Sequence, residues 1–130
     1  MTQVSGIPIS PLSMRVLGYI DRNGPQRISL MASVESISQP AMTSAVNRLA
    51  DDELVIRRPD PLDARAQLVD LTDRGHDMLA EYRGHMAEVL QPRLDALAAD
   101  DYATVERAVA IFETLTNDLT GLPNVRKKLI

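Results

Sequence analysis

Ten consecutive residues hold the clearest chemistry: Asp63-Ala64-Arg65-Ala66-Gln67-Leu68-Val69-Asp70-Leu71-Thr72. They read as the tip and return strand of a β-hairpin that ends in a helix cap. An arginine at a hairpin tip can enter the minor groove of a duplex, where negative potential favours a guanidinium. Asp63 is spaced to hold the Arg65 guanidinium by a bidentate pair. Upstream, Ser38-Gln39-Pro40-Ala41-Met42-Thr43-Ser44-Ala45-Val46-Asn47-Arg48-Leu49 reads as a helix. Met42, Ala45, Val46 and Leu49 fall at the i, i+3, i+4, i+7 spacing of a buried stripe. Gln39, Pro40, Thr43, Ser44 and Asn47 lie mainly on the other side. Short polar side chains such as Thr43, Ser44 and Asn47 can reach base edges without blocking the major groove. Taken singly, these residues have plainer readings. The polar face could simply be solvated, and Asp63 with Arg65 could be an exposed turn pair worth about 0–1 kcal/mol. Together, a helix that can enter a groove and a basic-tipped hairpin make a winged helix-turn-helix, with double-stranded DNA as the expected partner. The candidate contact residues are Ser38, Gln39, Pro40, Thr43, Ser44, Asn47, Arg48, Arg57, Asp63 and Arg65.

These residues need a scaffold. Ser10 followed by Pro11 predicts a helix start, a hydroxyl cap before a ring already set at helical φ. Leu12, Val16, Leu17 and Ile20 share one face of that helix, and Asn23-Gly24-Pro25 stops it. Arg27-Ile28 is expected to be a short strand. Ser29 is expected to cap a helix to about Glu35, with Leu30, Met31 and Val34 inward. Ser38 caps the reading helix. Leu54 to Arg58 and Ala66 to Leu71 are strand-like, with Pro59-Asp60-Pro61 as a stiff loop between them. Thr72 caps a long helix to about Ala98, kinked at Pro92. Its apolar stripe is Met78, Leu79, Tyr82, Met86, Val89, Leu90, Leu94 and Leu97. A last helix carries Val105, Ala108, Val109, Phe112, Leu115 and Leu119, close to a heptad seam. Gly121 and Pro123 end it. The fold class is therefore mainly α with a small β-hairpin. Four parts are expected: an extended arm over 1–9, a winged helix-turn-helix over 10–72, dimerisation helices over 73–121 and a basic tail over 122–130 containing Arg126-Lys127-Lys128.

Composition narrows the function. The 130 residues include no Cys, no Trp and one Phe, so the core must be aliphatic with Met as filler. Thiol chemistry is excluded. No apolar run approaches the roughly 20 residues of a membrane span, and no signal-peptide pattern opens the chain, so a cytoplasmic protein away from membranes is expected. An enzyme is not expected. His76 and His85 miss the i, i+4 spacing of a helical metal pair, and no nucleophile motif is present. No metal or cofactor is anticipated. The net charge of −4 cuts against nucleic acid, because phosphate affinity comes from Lys and Arg. It favours the alternative, a winged helix used for protein contact without specific DNA binding. Placement favours DNA: the arginines fall on the hairpin and the reading helix.

The chain resembles the multiple-antibiotic-resistance regulator (MarR) family of transcription factors from about Ile9 to Thr120. The resemblance rests on Asp63-x-Arg65, then Leu71-Thr72 and Gly75, preceded by Leu54-Val55 and Arg57-Arg58-Pro59-Asp60-Pro61. Ser38-Gln39-Pro40-Ala41 with Thr43 and Leu49 is similar to a family recognition-helix start. The resemblance implies a homodimer on a palindromic operator, acting as a repressor that a small aromatic or anionic effector releases. A cleft lined by Val16, Tyr19, Met78 and Tyr82 is the expected effector site. Glu53 stands where members commonly have Gly; if its φ is positive, strain of about 1 kcal/mol follows. Ser36 likewise replaces a turn Gly. The family also places a helix before the one at Pro11, where this sequence offers only the arm. A smaller dimer interface is expected, with Val4, Ile7 and Ile9 covering part of the apolar seam.

Overall fold

The computed structural model describes residues 2–4 and 6–119, with side chains over 6–116. In chain order the elements are β1 (Thr2–Val4), β2 (Ile7–Ile9), α1 (Pro11–Asn23), α2 (Ile28–Glu35), α3 (Gln39–Asp51), β3 (Val55–Asp60), β4 (Asp63–Leu71), α4 (Asp73–Asp95) and α5 (Ala99–Leu119). This is the mainly α winged helix-turn-helix expected. The chain divides into two compact units, residues 1–84 and 85–130, with the division inside α4.

The first unit is organised by its helix caps. Ser10 Oγ accepts from the Ser13 N–H at 3.1 Å and Pro11 follows, so α1 starts where the hydroxyl and ring dictate. Val16, Leu17 and Ile20 are then fully buried, and Gly24 ends the helix at φ 77°. Ser38 caps α3 by accepting from the Ala41 N–H at 3.2 Å. Met42, Ala45, Val46 and Leu49 make its buried stripe. Burying Met42, Val46 and Leu49 is worth roughly 1.5–3 kcal/mol each, which fixes the rotation of α3 and turns its polar face outward.

Glu53 and Ser36 are the two non-glycine residues with positive φ among the described residues, at 60° and 56°. Both occupy the same motif. After α3, the Leu54 N–H reaches the Leu49 carbonyl and the Glu53 N–H reaches Ala50; after α2, Ile37 reaches Ala32 and Ser36 reaches Ser33. These paired bonds satisfy the last helical carbonyls and require a left-handed residue at the turn.

The structure corrects several expectations. The arm is an antiparallel strand pair, Thr2 opposite Ile9 and Val4 opposite Ile7. Ile9, 3% exposed, belongs to the core of the first unit, with Ile7 packed against it. Both thus pack within the first unit; the side chain of Val4 lies outside the described residues. Arg27-Ile28 is not a strand. Gln26 makes the strand contact instead, exchanging backbone bonds with Val69 at 3.0 and 2.8 Å. Arg27 therefore takes the extended N-cap position of α2, without a side-chain cap, and Ser29 lies inside the helix. Leu30 is 46% exposed, because the stripe of this short helix runs through Met31 and Ala32. The hairpin strands reach Pro59 and Asp60, so the stiff loop shrinks to Pro61-Leu62. A proline fits there because β3 is an edge strand, where a missing N–H costs no ladder bond.

In α4, Met78 and Leu79 are buried and Tyr82 partly so, but Met86, Val89 and Leu90 are exposed, as is Leu97 beyond its end. The helix stops at Asp95, with Pro92 inside it. In the second unit, α5 buries none of its described side chains: Val105, Val109, Phe112 and Leu115 are all exposed. Leu94, Tyr102, Val105 and Val109 line an apolar groove of about 310 Å³ there. The side chain of Leu119, the stop at Gly121 and Pro123, and the basic tail over 122–130 lie outside the described residues. No helix among the described residues is long and apolar enough to cross a membrane.

Candidate nucleic-acid interface

The polar face of α3 stands clear of the core. Gln39, Pro40, Ser44, Asn47 and Arg48 are exposed and Thr43 is half-buried. Ser38 is also exposed, with its hydroxyl spent on the cap. Next to α3, the hairpin pairs from Val55 opposite Leu71 to Pro59 opposite Gln67. The register then jumps to Asp60 opposite Asp63, so Ala64, Arg65 and Ala66 have no cross-strand partners. This bulge carries Arg65 out of the ladder, exposed at the tip, as bulges do when they re-aim a side chain.

Asp63 does not clamp the Arg65 guanidinium. Its Oδ1 accepts from the Arg65 backbone N–H at 3.0 Å. A two-residue Asx turn needs no long side chain to be ordered, so it outcompetes an exposed ion pair. The role of Asp63 is to shape the tip, and the Arg65 guanidinium has no carboxylate partner among the described residues.

Charge is distributed unevenly over the hairpin. Arg58 is paired with Asp70 at 3.1 Å. Arg57 meets a neutral group, the Asn47 side chain, and Arg65 meets none. The acidic balance of the chain thus coexists with unneutralised arginines beside the reading helix, because other acids are engaged elsewhere. Glu53 pairs with Arg74 at 3.1 Å, and Asp21 takes Arg83 at 2.9 Å and His76 at 3.4 Å.

Two supports go beyond the sequence reading, which gave Thr72 as a helix cap and no role to Asp60 with Arg27. Asp60, 6% exposed, accepts from Arg27 Nε at 2.8 Å and from the Leu62 N–H at 2.8 Å, tying the start of α2 to the base of the tip. The Leu62 N–H, then the Arg27 guanidinium, hold its carboxyl below the usual carboxylate range, against the effect of burial. An Asp opening a turn was a usable signal for the first contact; nothing local points to Arg27. The second support is Thr72. Its hydroxyl donates to the Glu53 carbonyl at 2.6 Å and accepts from the Gly75 N–H at 3.0 Å. A Cβ on Gly75 would lie 2.2 Å from the Leu54 carbonyl oxygen, so only glycine lets α4 approach so closely.

The four residues expected to line an effector cleft lie in the first unit. Val16 and Met78 are closed into the core, at 1% and 3% exposure, while Tyr19 and Tyr82 are half-buried against it. The aromatic pair, not the aliphatic one, is what a ligand could touch.

The MarR family model matches residues 9–66. An uncharacterised HTH-type transcriptional regulator of Mycobacterium leprae is 27% identical over 111 residues, 85% of this chain and 78% of that protein. Among solved structures, RV1404 of Mycobacterium tuberculosis aligns with a TM-score of 0.76 at 25% identity, over 84% of this chain and 74% of that one. Wild-type MarR of E. coli in its apo form aligns with a TM-score of 0.69 at 27% identity, over 80% of this chain and 77% of that one.

Proposed function

We propose, from the premise that this is a MarR-family DNA-binding transcriptional regulator with its family match over residues 9–66, that it works as a homodimeric repressor on a palindromic operator. The observation that carries this reading is the pairing of an exposed polar α3 face with a bulge-mounted, unneutralised Arg65. Thr43, Ser44 and Asn47 take the base edges of the major groove, and Arg65 takes the adjacent minor groove. Ser38, Gln39 and Pro40 set the entry of the helix, and Arg48 and Arg57 add charge at its sides. The exposed seam of Val105, Val109, Phe112 and Leu115 supports a partner copy in the second unit, since an apolar stripe of this length needs a cover. The protein acts in the cytoplasm. A small aromatic or anionic effector, received against Tyr19 and Tyr82, releases the DNA.

Two recognition helices one helical turn apart require half-sites spaced by about 10 bp. A band-shift titration on random duplex and on DNA upstream of the coding sequence, followed by footprinting of the shifted fragment, tests this. Paired protected half-sites are expected. Protection of one isolated half-site by a monomer rejects the dimeric operator. A panel of aromatic carboxylates that neither raises the melting temperature nor releases DNA rejects the effector. The net charge of −4 favours a second reading, a winged helix that docks on protein. Equal failure to shift either DNA would reject the first reading and leave the second.

A further inference from the structure

Arg57 on β3 reaches across to α3, where its Nη2 donates to Asn47 Oδ1 at 2.5 Å. Both side chains are exposed. A guanidinium has donors and no acceptor, so the contact decides which way the amide faces. Oδ1 points to the hairpin, and Nδ2 has no hydrogen-bond partner among the described residues. An unrestrained Asn amide can turn over and offer either a donor or an acceptor. It then pairs well with adenine, accepting from N6 and donating to N7. With Oδ1 already engaged, the outward group is a donor, which suits the O6 and N7 acceptors of guanine.

We propose that Arg57 is a specificity-determining positioning residue: it holds the Asn47 amide so that α3 presents N–H donors and selects guanine over adenine at the base pair Asn47 meets. The proposal rests on the DNA-binding reading above. It separates Arg57 from a plain phosphate contact, which a lysine would supply as well.

Selection of the full chain on a duplex library randomised across both half-sites tests it, run on wild type, Asn47→Ala, Arg57→Lys and the double variant. At one base pair the guanine preference is expected to fall about three- to tenfold, as for the loss of one oriented hydrogen bond. The fall should be the same in Asn47→Ala and Arg57→Lys, with no further loss in the double variant. Arg57→Lys with wild-type preferences, or a wild-type preference for adenine at that position, overturns the proposal. So does an Arg57→Ala variant that weakens every sequence equally and flattens the salt dependence, the mark of a phosphate contact. The free protein gives an independent readout. In Arg57→Lys the Asn47 side-chain amide resonances should move and exchange faster with solvent; unchanged resonances overturn the proposal and leave DNA binding standing. A wild-type chain that enriches no sequence overturns the DNA-binding reading, and this inference with it.

Discussion

In residues 1–84, Leu17, Met42, Val46 and Leu54 are fully withdrawn from water, and no buried side-chain nitrogen or oxygen among the described residues lacks a hydrogen bond. In residues 85–130, Phe112 is 64% exposed and its neighbours Val109 and Leu115 are about half exposed. Both units are rich in aliphatic residues. The difference is what their apolar stripes face. The stripe of α3 faces α1, α2 and β3 of its own unit, whereas the stripe of α5 has no such company within the second unit. The first unit thus closes a core of its own, whereas the second leaves its apolar stripe exposed.

The comparison predicts opposite responses to substitution in the two stripes. Leu17→Ala leaves a cavity in the closed core and should lower unfolding stability by roughly 2–5 kcal/mol, read by urea denaturation. A loss below about 1 kcal/mol would mean that the core is looser than its burial implies. Phe112→Glu should leave near-native spectra of the first unit and halve the sedimenting mass, with DNA affinity falling alongside. An unchanged mass at tens of micromolar would remove the seam from the assembly.

Within the first unit, smaller effects separate positioning from packing. Arg65→Ala should weaken binding to all duplexes, most at A·T-rich flanks, while Thr43→Ala should shift preference at one base pair by up to about 1–3 kcal/mol. Equal and sequence-blind losses would abolish that division of labour. Asp60→Asn should speed amide exchange in the hairpin near neutral pH. The folded pKa of Asp60 lies below its unfolded value of about 3.9, so its contribution is complete above that value and is lost only as pH falls through the folded pKa. The gap between wild type and variant should therefore close in acid; a gap that persists there would assign the effect to shape. Smallest of all, Glu53→Gly should stabilise by about 0.5–1 kcal/mol, because relief at φ 60° outweighs an exposed pair with Arg74. A net loss would mean that the Arg74 contact matters more than its exposure suggests.

The sequence disclosed what is encoded over short spans. Ser10-Pro11, Ser38 and Thr72 mark helix starts because capping is a contact over three residues. The positive φ at Glu53 was foreseeable from the family's glycine at that place. The exposed α3 face followed from the spacing of Met42, Ala45, Val46 and Leu49. What escaped depends on partners distant in sequence. Arg27 looked like part of a strand because nothing near it reveals Asp60. Ile9 looked like a loose arm residue because its neighbours in the core are set by folding. Leu30 was placed inward by a periodicity that eight residues are too few to define. For Asp63 and Arg65 the partners were right but the atoms were not, since a side chain and its backbone are the same residue in a sequence.

The Thr72 hydroxyl has a mechanical consequence. Its one hydrogen goes to the Glu53 carbonyl and its lone pair receives the Gly75 N–H, while the Leu54 carbonyl accepts from the Thr72 N–H at 3.2 Å. The exit of the reading helix and the first turn of α4 are thus joined as a weld and not as a hinge. A displacement of the first turn of α4 is therefore expected to carry the residues that follow α3 with it. Thr72→Val, which keeps the shape and removes the hydroxyl, would turn the weld into a pivot.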